Sequence, residues 1–180
     1  VEKPLADTFA KGVEIADWAA RKAELTRVGY NLRFSPSIRE FKSRIDRGDL
    51  GEVLSIRVET GQFLPDWRPD RDYRATASAQ KALGGGALLE LSHEIDYVRW
   101  IFGEIDWVSA WMGKSSDLDI DVEDTACLIV GFANSERTAN KVGQMNLDLV
   151  RRDRTRSLTA VGALGSLRWD GISSTVEEYV

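Results

Sequence analysis

The chain has 180 residues, 43% of them apolar, with 24 Lys and Arg against 29 Asp and Glu for a net charge of −5. That length suits one domain, which buries roughly 70% of the surface its unfolded form exposes and needs no covalent or metal staple. The acidic balance argues against nucleic acid as the main partner, the lone Cys127 excludes an internal disulfide, and no apolar run nears the roughly 20 residues of a membrane helix.

The first residues, Val1 to Leu5, read as the end of a strand entering a loop. Asp7 or Thr8 can cap a helix whose apolar face holds Val13, Ile15, Ala16, Trp18, Ala19, Ala20 and Ala23. Val28, Tyr30, Leu32 and Phe34 share one face of a short strand over Arg27 to Phe34. Ser35-Pro36 starts a second helix, lined by Ile38, Phe41 and Ile45 and ended by Gly48 and Gly51. From Val53 to Phe63, Leu54, Ile56 and Val58 alternate with Ser55, Arg57 and Glu59, as in a half-buried strand.

Leu64 to Lys81 has no usable period and reads as a long surface loop. After Gly84-Gly85-Gly86, a helix runs from Ala87 to Phe102 with Leu88, Leu91, Ile95, Val98 and Ile101 inward. Beyond Gly103 the period becomes two, giving strands over Ile105 to Met112, Thr125 to Phe132, Arg137 to Leu149, Arg156 to Val161 and Ser166 to Trp169. Gly162 and Gly165 bracket a tight turn between the last two. Consecutive strands with short links predict an α+β fold: an open, mostly antiparallel, mixed sheet with helices on one face. No repeat, low-complexity tract or interior linker divides residues 1–180, which read as one domain.

The chemistry centres on the single histidine, His93. Glu90, His93 and Asp96 fall at i, i+3 and i+6 of the expected helix, within about 120° of its surface, so all three can reach one pocket. A carboxylate can orient the imidazole and tune its proton affinity for general-base work. The plainer alternative is a structural histidine on an acid-rich, solvated face. The three glycines upstream allow backbone to approach a ligand closely. Lys3 can offer an ammonium to a substrate oxygen or a cofactor carboxamide, or be an ordinary exposed lysine.

Glu2-Lys3-Pro4-Leu5-Ala6, then Gly29-Tyr30-Asn31-Leu32-Arg33-Phe34-Ser35-Pro36, then Gly84-Gly85-Gly86-Ala87-Leu88 leading to His93-Glu94-Ile95-Asp96, resemble the Gfo/Idh/MocA oxidoreductases. The resemblance covers nearly the whole chain. It implies the C-terminal catalytic domain of an NAD- or NADP-dependent dehydrogenase or reductase acting on a sugar, cyclitol or related hydroxylated compound. It implies that residues 1–8 are the link from an N-terminal dinucleotide-binding domain and that the cofactor is held mainly there. No Gly-x-Gly-x-x-Gly occurs in these 180 residues, so the expectation is a fragment, inactive by itself. By resemblance Lys3 contacts substrate and nicotinamide beside Pro4, and His93 exchanges a proton with the substrate hydroxyl. Glu90 stands in place of an Asp usually found four residues before the histidine; here the residue is Glu and the spacing three. Asp96 takes an orienting or structural part.

Arg33, Trp67, Arg68, Tyr73, Arg74 and Asp96 are the candidate substrate-binding residues, aromatic faces and guanidinium forks being suited to sugars and their anionic groups. Arg151, Arg152, Arg154 and Arg156 read either as a solvated turn or as a site for an anionic substrate such as a nucleotide sugar. Trp107 and Trp111 on one strand face, with Val108, Ala110 and Met112 on the other, predict that the sheet's far side is covered in a homo-oligomer. Cys127 is expected in the core. A cytoplasmic location follows from the free cysteine and the absence of a signal-peptide pattern. Two competing functions remain: a non-catalytic sugar-binding or oligomerisation module, and a metal-dependent hydrolase using Glu90, His93 and Asp96.

Overall fold

A computed structural model of the chain describes residues 1–22, 25–133 and 141–180. Seven strands form one sheet: β1 (Val53–Gly61), β2 (Ile105–Gly113), β3 (Thr125–Phe132), β4 (Val142–Asp148), β5 (Thr155–Gly162), β6 (Ser166–Asp170) and β7 (Thr175–Tyr179). Their order is β2-β3-β4-β1-β5-β6-β7. Only β1 and β4 run parallel; every other neighbouring pair is antiparallel. This is the expected α+β fold, with β1 at its centre.

The alternation of the strands decides which face is covered. Ile56 and Val58 of β1, Ala126, Leu128 and Val130 of β3, Met145 and Leu147 of β4, and Leu158 and Ala160 of β5 are buried. They meet the buried sides of α2 (Pro36–Arg47) and α4 (Ser92–Phe102), contributed by Ile38, Phe41, Tyr97, Val98, Ile101 and Phe102. Edge-to-face ring pairs, Phe41 with Phe102 and Tyr97 with Trp169, lock these layers together. α2 begins after Ser35 with Pro36 in its first turn and ends at Gly48, whose φ of 79° closes it in the left-handed conformation.

Several elements depart from the sequence reading. No strand end forms at residues 1–5, of which 3–5 are bends. No strand forms at residues 27–34; Asn31–Phe34 is a 3-10 turn. The loop after β1 carries four further 3-10 turns between Leu64 and Leu83. Leu54 does not face inward but is 52% exposed, because the register against β5 slips between Val53 and Ser55 and re-aims it. The first helix, α1 (Phe9–Lys22), forms but buries nothing, with Phe9 89% exposed. Cys127 is exposed, its neighbours Ala126 and Leu128 taking the inward positions of β3. Apart from its two ends, β2 is exposed along its whole length, so no part of the described chain covers the far face of the sheet there. β7 was not anticipated. Ala23 and residues 137–140 of the expected fourth strand lie outside the described residues.

The helix expected over 87–102 is broken into α3 (Ala87–Glu90) and α4 at Leu91, whose φ and ψ are −99° and 26°. Across the break the Glu94 amide donates to the Leu91 carbonyl (3.2 Å) instead of reaching back to Glu90. The Glu90 carbonyl is left without its helical partner, and the site is built around that vacancy in the hydrogen-bond ladder.

Candidate active site

Lys3 fills the gap. Its Nζ donates to the Glu90 carbonyl at 2.6 Å and to Glu90 Oε2 at 3.2 Å. Ser78 Oγ donates to the other carboxylate oxygen at 3.1 Å. An ammonium has three N–H groups, so Lys3 keeps one beyond the two that Glu90 accepts. Backbone pairing fixes the segment that carries it: the Gly29 amide donates to the Val1 carbonyl (2.8 Å), and the Val1 backbone nitrogen donates to the Arg27 carbonyl (2.9 Å).

Lys3, Glu90 and His93 line one cavity of about 390 Å³ together with Asn31, Thr60, Gln62, Trp67, Arg154, Thr155, Arg156 and Ile172. That volume lies in the range of small-molecule sites. Trp67 is steadied by an Nε1 hydrogen bond to the Gln62 carbonyl (3.0 Å), which leaves its ring as a flat apolar wall.

His93 is half-buried, and its Nδ1 is buried with no hydrogen-bond partner. The Tyr30 ring meets the imidazole edge-on, with centroids 5.6 Å apart. Burial, then the charges of Lys3 and Arg156, push its pKa down to about 4; Asp96 and Glu90 pull the other way more weakly. The ring is therefore a free base at neutral pH. Neither flanking carboxylate bonds it, contrary to the simplest expectation from their spacing. Glu90 is taken by Lys3 and Ser78, and both Asp96 oxygens accept from the Arg33 fork at 2.7 Å.

The other expected residues are placed as follows. Arg33 and Asp96 satisfy each other and do not line the cavity; Arg33 also lies over the Trp100 ring. Arg68 and Tyr73 line a small adjoining pocket that shares Trp67 with the main one. Arg74 is paired with Asp72 and is exposed. Pro4 follows Lys3 without lining the cavity. The glycines approach protein, not open space: a Cβ on Gly85 would meet the Ala77 and Ser78 carbonyls, and one on Gly86 the Glu123 carboxylate. Asn31, Thr60, Gln62, Thr155 and Ile172 were not foreseen, because strand pairing and the 3-10 turn bring them together. Among the described residues no group of three His, Cys, Asp or Glu can hold a metal ion, and Asp96 is spent on Arg33, so the metal-hydrolase alternative has no ligand set here.

The four arginines do not form a simple solvated turn. Arg151 is tied to Glu59 (2.8 Å), and Arg152 lies 3.4 Å over the Phe63 ring. Arg156 Nε donates at 2.9 Å to Glu94 Oε1, and Glu94 is fully buried beside Thr60 and Tyr97. Burial holds the Glu94 carboxyl above its ordinary range, while Arg156 opposes that rise.

Open-sheet architecture and a lysine–histidine cleft at the broken helix define the class: an α+β domain with a candidate small-molecule site. Residues 38–168 match the model of the GFO/IDH/MocA C-terminal domain, and the chain belongs to that family. The levoglucosan dehydrogenase of Pseudarthrobacter phenanthrenivorans is 29% identical over 174 residues, covering 81% of this chain and 44% of that protein. Inositol 2-dehydrogenase 2 of Saccharopolyspora erythraea is 31% identical over 137 residues, covering 74% of this chain and 37% of that protein. A solved levoglucosan dehydrogenase, in complex with NADH and levoglucosan, superposes with a TM-score of 0.82 at 26% identity over 96% of this chain and 47% of that one. The chain thus spans less than half the length of these relatives.

Proposed function

We propose that this chain is the substrate-binding and proton-transferring part of an NAD- or NADP-dependent oxidoreductase acting on a hydroxyl-bearing carbon of a sugar, cyclitol or related compound. The observation that carries the reading is the convergence of a neutral His93 and the spare Lys3 N–H on one cavity. The names of the relatives, dehydrogenases of levoglucosan and inositol, agree with it.

The chain's own residues divide the work. A nicotinamide supplies the hydride acceptor or donor, and the spare Lys3 donor suits its carboxamide or the substrate oxygen; Lys3 and Pro4 are the residues that would hold it here. In the oxidative direction His93 accepts the hydroxyl proton as the C–O bond gains double-bond character, and an unprotonated ring is ready for this. Lys3 stabilises the negative charge that develops on that oxygen. Glu90 is a positioning residue, fixing the ammonium by carboxylate and carbonyl together. Trp67 offers its face to the apolar side of a sugar ring.

The same reading places the protein in the cytoplasm as a homo-oligomer. No described helix is long and apolar enough to cross a membrane. The open sheet face exposes Trp111 and Ile129 around a concavity of about 640 Å³ that also includes Cys127.

Replacing His93 by Ala in the enzyme that carries this chain tests the assignment through nicotinamide reduction. Loss of a positioned general base should lower kcat by about 100-fold or more. Turnover within a few-fold of the parent would remove His93 from the chemistry.

A further inference from the structure

Arg154 and Arg156 precede and enter β5 on the same side of the strand as the core residues Leu158 and Ala160. A cation at position 156 therefore occupies a place that the pattern reserves for hydrocarbon. Three contacts hold it there. Its Nε donates to the buried Glu94, its carbonyl accepts from the Gly171 amide (2.7 Å), and its Cγ and Cδ lie where a Cβ on Gly171 would stand.

Balancing Glu94 uses one of five guanidinium N–H groups. The terminal nitrogens of Arg156 make no hydrogen bond among the described residues, and they are absent from its buried unpartnered atoms, so they open into the cavity that the residue lines. Arg154 lines the same cavity, is exposed, and has no hydrogen bond or ion pair among the described residues. Arg151 and Arg152, by contrast, are occupied by Glu59 and Phe63 and do not line it. Of the four arginines, Arg154 and Arg156 are the two that line the site.

The lining charges are then Lys3, Arg154 and Arg156 against Glu90 alone, and both Glu90 oxygens are already bonded. Guanidinium donors of this kind gain far more from a carboxylate or phosphate than from a hydroxyl. We infer that the cavity selects a sugar or polyol carrying an anionic group, a carboxylate or a phosphate, with Arg156 and Arg154 as the residues that recognise it. This rests on the reading of the cavity as the substrate site, and it adds the class of substrate.

Titration calorimetry on the purified protein tests the inference, with D-glucose and myo-inositol set against D-gluconate, D-glucuronate and D-glucose 6-phosphate. At least one anionic ligand should bind tenfold or more tighter than the neutral ones, and the carboxylate and phosphate arms identify which anion is preferred. Arg154→Gln, a change at an exposed side chain, should reduce that preference several-fold. Glu94→Gln combined with Arg156→Gln removes both charges of the buried pair together and should abolish it. Neutral ligands binding as well as the anions, no anion binding, or a preference surviving both variants would overturn the inference. The redox reading fails separately: anion preference without nicotinamide reduction by any ligand leaves the subsite standing, whereas turnover confined to neutral sugars removes the subsite alone.

Discussion

Lys3 donates to the backbone carbonyl of Glu90, 87 residues away in sequence, at the point where the helix ladder skips a bond. The break at Leu91 and the lysine are two halves of one device: the helix gives up an intrahelical acceptor, and the ammonium takes it. Lys3→Met should therefore leave a part-buried carbonyl and the Glu90 carboxylate short of a donor. A loss of about 1–3 kcal/mol follows, read from urea denaturation. Lys3→Arg should recover part of it, and a Lys3→Met variant as stable as the parent would show that the pairing is incidental.

Because His93 is the single histidine, its titration can be followed without assignment ambiguity by NMR. The imidazole should titrate with a midpoint of about 4, not the ordinary 6.5, and Lys3→Met should raise the midpoint by removing a facing cation. The charged groups that act on the ring are Lys3 and Arg156, which lower its proton affinity, and Asp96 and Glu90, which raise it. The folded value lies below the unfolded one, so the unfolded chain takes up the proton first as the solution is acidified. The contribution of the neutral ring to stability is complete above about pH 6.5 and is lost as pH falls from 6.5 to 4. A midpoint near 6.5 would contradict the buried setting.

Removing one member of the Glu94–Arg156 pair should cost more than neutralising the other. Arg156→Leu strands a fully buried carboxylate and should destabilise by about 3 kcal/mol, the lower end for a broken buried pair because Arg156 is partly open to the cavity. Glu94→Gln keeps an acceptor for Nε and should cost about 1 kcal/mol. Denaturant midpoints in the reverse order would mean that Glu94, not Arg156, is the member the fold depends on.

Gly86 has a φ of 106°, and an added Cβ would fall on the Glu123 carboxylate, which itself accepts from the Leu88 amide at 3.0 Å. Gly86→Ala should destabilise by about 2 kcal/mol or more, from backbone strain and displacement of Glu123. Gly12→Ala is the contrast: nothing lies within 4 Å of its Cβ position in α1, and helix propensity favours the change by up to about 1 kcal/mol. Circular dichroism during urea titration separates the two, and equal midpoints would refute the account of Gly86.

What could be read from the sequence was what is local. Period-two runs delivered β3, β5 and β6, and Ser35-Pro36 with Gly48 framed α2. The outward place of Cys127 was also available there, since Ala126, Leu128 and Val130 already claim the inward positions. The cavity was half legible: Lys3, Glu90, His93 and Trp67 stood out by residue type and motif. On its other wall, Arg154 and Arg156 stood only within a run of four arginines that also read as a solvated turn, with nothing local to single out these two. Arg156 reaches the cavity because β5 pairs antiparallel with β1, setting Arg156 opposite Thr60, and the sequence holds no local sign of that register. Gly86 misled for the same reason, its neighbour being Glu123, 37 positions on. Leu91 carries no helix breaker, and the break there is supported by a lysine from the opposite end of the chain.

The open sheet face sets the remaining test. Trp107 is accounted for within the chain, since its indole lies where a Cβ on Gly131 would stand, across the β2–β3 pair. Trp111 rests against Gly113 yet stays 54% exposed, and Ile129, 45% exposed, lies with it and Cys127 on the same face. If that face packs against another copy, a charge placed in it must be desolvated on association, whereas in the isolated chain it stays in water. Trp111→Glu and Ile129→Glu should therefore shift the protein to monomers in sedimentation velocity while leaving the His93 titration midpoint unchanged. A parent protein that is already monomeric would refute the self-association, and an oligomer untouched by both substitutions would move the contact to another surface.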